Sequence, residues 1–364
     1  MSVKQNRRDW VDAAKGLSII LVVMMHSAYG VGEDLNDTGI LHYIIGWATP
    51  FRMPEFFLIS GLFLGHVIDR PWRLYADRRI VHYLYFYALW VVLQVVFKVG
   101  LGTGDVAAVF TQIARAVIEP YGVLWFIYML AVYSLVTRLF HTLRVPHWAA
   151  MVLGAALMMA PIRSGSGLVD HFAMYFVYFY AGYAFAPLVF RIVASAQQNW
   201  LYAVFALASY GAIEWFLVFE GGAQMYPRGI DMGYASFPPL HLLLGFVGSL
   251  AVCIAGGLLV RLPWMGWLRW LGERSIVVYL SFTIPMAASR TLILKTGVLD
   301  DTSTVSIIVM TIALVSPLIL YWMIRKTGWG RFLFERPAWA HIPGTPGSRG
   351  YVKPEPKRSA VPAE

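Results

Sequence analysis

Lys15 and His26 stand eleven residues apart in one apolar run, DWVDAAKGLSIILVVMMH (residues 9–26). On a helix, at about 100° per residue, eleven positions return to nearly the same azimuth after a rise of roughly 16 Å. One helix face would then carry a cation at its start and an imidazole three turns deeper. Imidazole changes charge near neutral pH, so His26 is a candidate for chemistry that moves a proton. Asp12, three residues before Lys15, lies on or beside the same stripe and is placed to pair with it. Read singly, Lys15 is also a snorkelling anchor and His26 an interhelical hydrogen-bonding group. Their shared face favours the chemical reading.

Other ionisable groups fall inside apolar runs, where a charge is expensive and defaults to a functional hypothesis. Arg52 and Glu55, three apart, are expected to pair with each other; beyond that they would orient His26 or touch a substrate. Glu214 is a further intramembrane carboxylate, read either as a packing group or as part of a substrate site. Arg78 and Arg79 open the third apolar run, as anchors at the inner membrane surface or as cations for a phosphorylated ligand. Trp125 is an interfacial anchor or an aromatic face for a sugar or adenine ring. Ser60 and Gly61 are read as close-packing residues ahead of a nucleophile. His42, His82, His171 and His241 sit near run ends, where solvated interfacial roles are the default.

The elements that must hold these residues follow from composition. The chain is 59% hydrophobic and 13% charged, against roughly 45–50% and about 25% in soluble domains. A membrane crossing takes about 20 apolar residues, and ten such runs can be marked: 14–32, 40–66, 80–100, 122–141, 146–162, 169–190, 200–219, 236–260, 273–293 and 303–324. The expected fold is an all-α, polytopic bundle of about ten transmembrane helices. Pro54 and the Pro238–Pro239 pair are places where the long second and eighth runs could break, and the fifth run is short enough to be re-entrant. Twenty-one of the 29 Lys and Arg residues fall on the side of the termini and six on the other, which predicts cytoplasmic termini. The expected organisation is a cytoplasmic N-terminal tail (1–13), a transmembrane domain (14–326) and a Pro/Gly-rich basic tail (327–364) too poor in apolar surface to order itself.

Several function classes are excluded on the same ground. The single cysteine, Cys253, gives no disulfide framework, no histidine pair has ligand spacing, and no metal is expected. The net charge of +9 is spread between apolar runs and forms no basic stripe, so no nucleic-acid partner is expected. Neither a phosphate-binding GxxxxGK[ST] loop nor a strand followed by GxGxxG occurs. The first run carries no cleavage pattern, and no internal repeat of the transporter kind is visible.

DAAKGLSIILVVMMH (12–26) resembles the opening signature of acyltransferase family 3, the bacterial integral-membrane O-acyltransferases, in which a basic residue precedes a first-helix histidine by eleven positions. RMPEFFLISGLFLG (52–65), LWFIYML (124–130), YFYAGYAF (178–185) and LGERSIVVYL (271–280) resemble further segments of that family, in order, over about 270 residues. Two positions depart from its pattern. Lys15 stands where the family usually has arginine, exchanging a planar fork for a point charge. Phe282, in YLSFTIP (279–285), stands near the place where many members carry a second histidine, which argues against a mechanism that needs one there.

The resemblance implies transfer of an acyl group, commonly acetyl, from cytoplasmic acyl-CoA to a hydroxyl of a cell-envelope or lipid-linked glycan, in the bacterial inner membrane. On that reading His26, Glu55 and Asp12 are the catalytic candidates. Lys15, Arg78, Arg79 and Trp125 would meet the coenzyme A co-substrate, and Arg52 and Glu214 the acceptor. The residues alone also admit a proton- or ion-coupled transporter working through Lys15, His26, Arg52 and Glu55, or a non-catalytic membrane scaffold with its basic tail as a docking element.

Overall fold

A computed structural model describes residues 9–100 and 104–351. The first eight residues, with Lys4, Arg7 and Arg8, and residues 352–364 lie outside the described residues. The fold is an all-α, multi-pass membrane bundle built around α1 (Asp9–Leu35). Two thirds (67%) of the most apolar stretch of α1 is buried, against 17% of the corresponding stretch of α10 (Trp200–Phe219), so α1 is the axis and α10 a peripheral helix. Small residues let α1 take that place: at Gly16 a side chain would strike the backbone of Leu268, and at Gly272 one would strike the Asp12 carbonyl. These two glycines press α1 against α12 (Gly266–Glu273).

The second apolar run breaks at Thr49–Phe51 into α2 (Ile40–Ala48) and α3 (Arg52–Gly61). Pro54 sits in the first turn of α3, where its missing N–H is not needed, so the break falls before it. Gly61 and Gly182 face each other's helix backbones across α3 and α8 (Gly167–Ala184), which accounts for the Ser-Gly and Ala-Gly-Tyr segments as packing signals. Next come α4 (Trp72–Gly100), with π-helical turns at Asp77–Val81 and Val96–Gly100, and a short helix absent from the sequence reading, α5 (Val106–Arg115). α6 (Trp125–Thr142) and the short α7 (His147–Met159) follow.

α8 runs into α9 (Ala186–Gln198) through a 76° bend. After α10, a small antiparallel hairpin, β1 (Gln224–Tyr226) and β2 (Gly229–Asp231), leads to α11 (Pro238–Leu259), whose two prolines begin the helix and do not break it. α12 passes to α13 (Ser275–Ser281), which bends by 53° into α14 (Thr283–Thr296), and α15 (Thr302–Thr327) closes the bundle.

Six of these helices are long and apolar enough to cross a membrane, or eight if each bent pair is one crossing, against the ten expected. The difference lies in the second run, whose halves have 9 and 10 residues, and in the fifth, a 13-residue helix.

The expectation of a disordered tail does not hold for residues 328–351. This segment lies along α4, with Arg336 2.5 Å from the buried Asp77 carboxylate and His341 Nδ1 at 3.2 Å. The Ile342 N–H donates to the same carboxylate (2.8 Å), and Trp90 Nε1 and Tyr85 Oη donate to the carbonyls of Leu333 and Phe332. Phe334 packs on Trp90 and Tyr321. A composition count sees the Pro, Gly and charge; the ordering comes from an acid on another element and from aromatic side chains interspersed in the tail.

Candidate functional site

Two cavities meet inside the bundle. The first, of about 330 Å³, is lined by Lys15 from α1, Ser60 from α3, Arg78 and His82 from α4, and Glu273 and Ser275 at the α12–α13 junction. The second, of about 170 Å³, is lined by His26, Arg52, Met53, Trp125 and Tyr175 among others. Phe56, Phe126 and Tyr279 line both, forming a shared neck. Lys15 and His26 therefore do lie on one side of α1, one opening to each cavity. The neck is braced: the Tyr279 hydroxyl donates to the Val123 carbonyl (2.5 Å), and Phe126 packs edge-on against the Tyr279 ring at 5.5 Å.

Asp12, 2% exposed, has Oδ1 3.8 Å from Lys15 Nζ, as the i,i+3 spacing suggested. Arg78 turns into the first cavity, but its neighbour Arg79 does not; its guanidinium donates to the Phe63 carbonyl and the Tyr83 hydroxyl, both at 3.3 Å. Adjacent positions on a helix point about 100° apart, so the two side chains take different courses.

The expected Arg52–Glu55 pair is not formed. Arg52 lines the second cavity, while Glu55 lines neither and faces Ser18 of α1 and Cys253 of α11. Spacing of i,i+3 permits contact without enforcing it, and α3 is wedged between helices that take its two sides separately. Both groups are buried with nitrogens or oxygens lacking a protein partner: Nε and Nη1 of Arg52, and both carboxylate oxygens of Glu55. Glu214 is also outside both cavities, beside Tyr210 on the peripheral α10. Trp125, assigned from sequence to the ligand side of Lys15, instead belongs to the His26 cavity. There it stacks on His171, with ring centroids 3.9 Å apart and planes 10° from parallel, and on Tyr175 at 5.5 Å.

Sequence reading missed His82, His171, Glu273 and Ser275. His82, assigned to a solvated helix end, lies ten residues inside α4 and lines the first cavity, and His171, in the first turns of α8, stacks on Trp125. His42 is another correction: it is fully buried, its Nδ1 accepting from the Gly39 N–H (3.1 Å) and its Nε2 lying 3.0 Å from the Pro227 carbonyl. Glu273, Ser275 and Tyr279 all lie within LGERSIVVYL, so the signal was the segment itself. Phe282, at the departure from the usual pattern, stands with its ring 5.4 Å from the His26 imidazole.

The arrangement offers an imidazole with an aromatic wall and a guanidinium on one side of Phe56, Phe126 and Tyr279, and cations with hydroxyls on the other. It suits reaction between two substrates that approach from opposite ends.

Comparison with known proteins agrees. A family model described as an acyltransferase domain, that of acyltransferase family 3, matches residues 8–326. Inner membrane protein YcfT of Escherichia coli (strain K12) is 31% identical over 169 residues, covering 40% of this chain and 47% of that protein; the match thus spans about half the relative's length. No solved structure matches the chain. With nearly the whole bundle inside the family match, and four of the five signature segments lining its two adjoining cavities, this multi-pass membrane chain belongs to acyltransferase family 3.

Proposed function

We propose that this acyltransferase moves an acyl group, acetyl first among the candidates, from cytoplasmic acyl-CoA to a hydroxyl of a cell-envelope or lipid-linked glycan in the bacterial inner membrane, with both termini cytoplasmic. The observation that carries this reading is the placement of Lys15 and His26 on one side of α1, opening to cavities that share the neck of Phe56, Phe126 and Tyr279.

Lys15 and Arg78 supply the positive field for the donor's phosphates at the inner mouth. On this reading the acyl thioester reaches past the three aromatic side chains of the neck while the nucleotide stays with Lys15 and Arg78. On the far side Trp125 and Tyr175 give flat faces for a sugar ring, and Arg52 holds the acceptor. His26 takes the proton of the attacking hydroxyl as the new C–O bond forms and the C–S bond breaks, then returns it to the departing thiolate. Alternatively His26 carries the acyl group between the two substrates; with Phe282 beside it, either route runs through a single imidazole.

A transporter relay would need Glu55 and Glu214 to continue a path from His26, and both face away from its cavity. The test is coenzyme A release from acetyl-CoA by the purified protein in detergent with an envelope glycan extract. The wild type should release coenzyme A in proportion to acylated product; an acceptor-independent trace in wild type and His26→Ala alike would contradict the proposal.

A further inference from the structure

The His26 cavity carries a charge that the protein does not balance. Arg52 is 8% exposed and lines the cavity, yet its Nε and Nη1 meet no protein acceptor. Its flanking groups are the phenols Tyr29, which hydrogen-bonds the guanidinium, and Tyr175; both are neutral and leave the charge unbalanced. The carboxylate nearest in sequence, Glu55, faces the other side of α3, and Asp34 is engaged 3.0 Å from Arg290. A guanidinium stays charged at any physiological pH and its planar fork matches a carboxylate or phosphate. Left unanswered in a membrane interior such a group is costly. A transient oxyanion at the reacting carbonyl would answer it only during the reaction.

We infer that the His26 cavity receives a substrate carrying its own permanent anion, a carboxylate or phosphate seated on Arg52 while the reacting group lies at His26. This rests on the acyl-transfer reading above and narrows it. Two sources supply the same chemistry: an acid group on the acceptor sugar, or the free carboxylate at the far end of a dicarboxylic acyl chain. Either would also gain from the Trp125 and Tyr175 wall, which leaves the polar contacts to Arg52.

Mass spectrometry of envelope glycans from cells with and without the gene identifies the unit that gains acyl mass. A plain acyl group on an acidic sugar assigns the anion to the acceptor, and a dicarboxylic acyl group on a neutral sugar assigns it to the donor. A plain acyl group on a neutral sugar overturns the inference and leaves acyl transfer standing. No acyl gain on any glycan, together with no coenzyme A release by purified protein, overturns acyl transfer and the inference with it.

With the identified substrates and full-length protein, Arg52→Gln should raise KM for the anion-bearing substrate roughly 10- to 100-fold, with the other substrate's KM held within about 2-fold. Arg52→Lys should recover part of the loss. Methyl esterification of a carboxylate substrate, or alkylation of a phosphate, should cost wild type a similar factor and cost Arg52→Gln nothing further, the non-additivity expected of a direct pair. This arm works even if an Arg52 variant folds poorly, because the substrate change alone must weaken wild type. A neutralised substrate used as well as the anion would overturn the inference.

Discussion

The cavities on either side of the Phe56, Phe126 and Tyr279 neck settle their charges in opposite ways. In the inner cavity, the one lined by Lys15, two of the charges have partners: Lys15 lies 3.8 Å from Asp12, and Glu273 lies 3.3 Å from Arg274, with side chains 22–33% exposed apart from buried Asp12. In the deep cavity Arg52 is buried and has no carboxylate. A mouth of partnered, partly wet charges tolerates a change at any single position and suits reversible docking of a large anionic donor. A buried cavity lined by one imidazole and one guanidinium without a carboxylate does not tolerate it, because neither group has a substitute in the lining. Substitutions at the two cavities should therefore differ in size and in the kinetic constant they touch.

The largest expected effect is at the deep cavity. His26→Ala should lower kcat by about 10²- to 10⁴-fold, the usual range for a lost acid–base group, with unchanged membrane insertion and melting temperature; a drop confined to KM would remove the proposed base. Next is Asp77→Ala, which strips the partner from buried Arg336. It should destabilise the protein by about 3 kcal/mol or more, read as a lowered Tm and protease cleavage within 328–351; an unchanged Tm would mean the segment does not hold α4.

Trp125→Ala removes the stacked wall of the deep cavity and should raise the acceptor's KM roughly tenfold while the acyl-CoA KM stays put. A rise in the acyl-CoA KM instead would return Trp125 to the inner cavity. Arg78→Gln should raise the acyl-CoA KM by several-fold, in line with a partly solvated charge contact of about 1 kcal/mol; the same change at Arg79, which is turned to the Phe63 carbonyl, should do less. Equal effects of the two would erase the distinction between them. The smallest is Glu214→Gln, where turnover should stay within about 2-fold, since Glu214 lies beside Tyr210 and outside both cavities.

The parts of this site that were legible in the sequence are those governed by one helix. The Lys15–His26 face and the Asp12–Lys15 pair are consequences of helical periodicity, and the all-α membrane fold follows from apolar run lengths. Arg52 and Glu55 were misread because i,i+3 spacing says nothing about which neighbours occupy each side of α3. His82 was misread because α4 begins at Trp72, ahead of the apolar run, which puts His82 inside the helix and not at its end; His171 was misread because its stacking partner, Trp125, comes from another helix. The tail was misread because Asp77, which holds Arg336 and His341, lies more than 250 residues away in the chain.

Acyl mass on the envelope glycans of cells producing wild type, His26→Ala or Glu214→Gln at matched membrane levels tests the central claim most directly. The account predicts full acylation with wild type and Glu214→Gln, and none above background with His26→Ala. Acylation that survives the loss of His26 would contradict it.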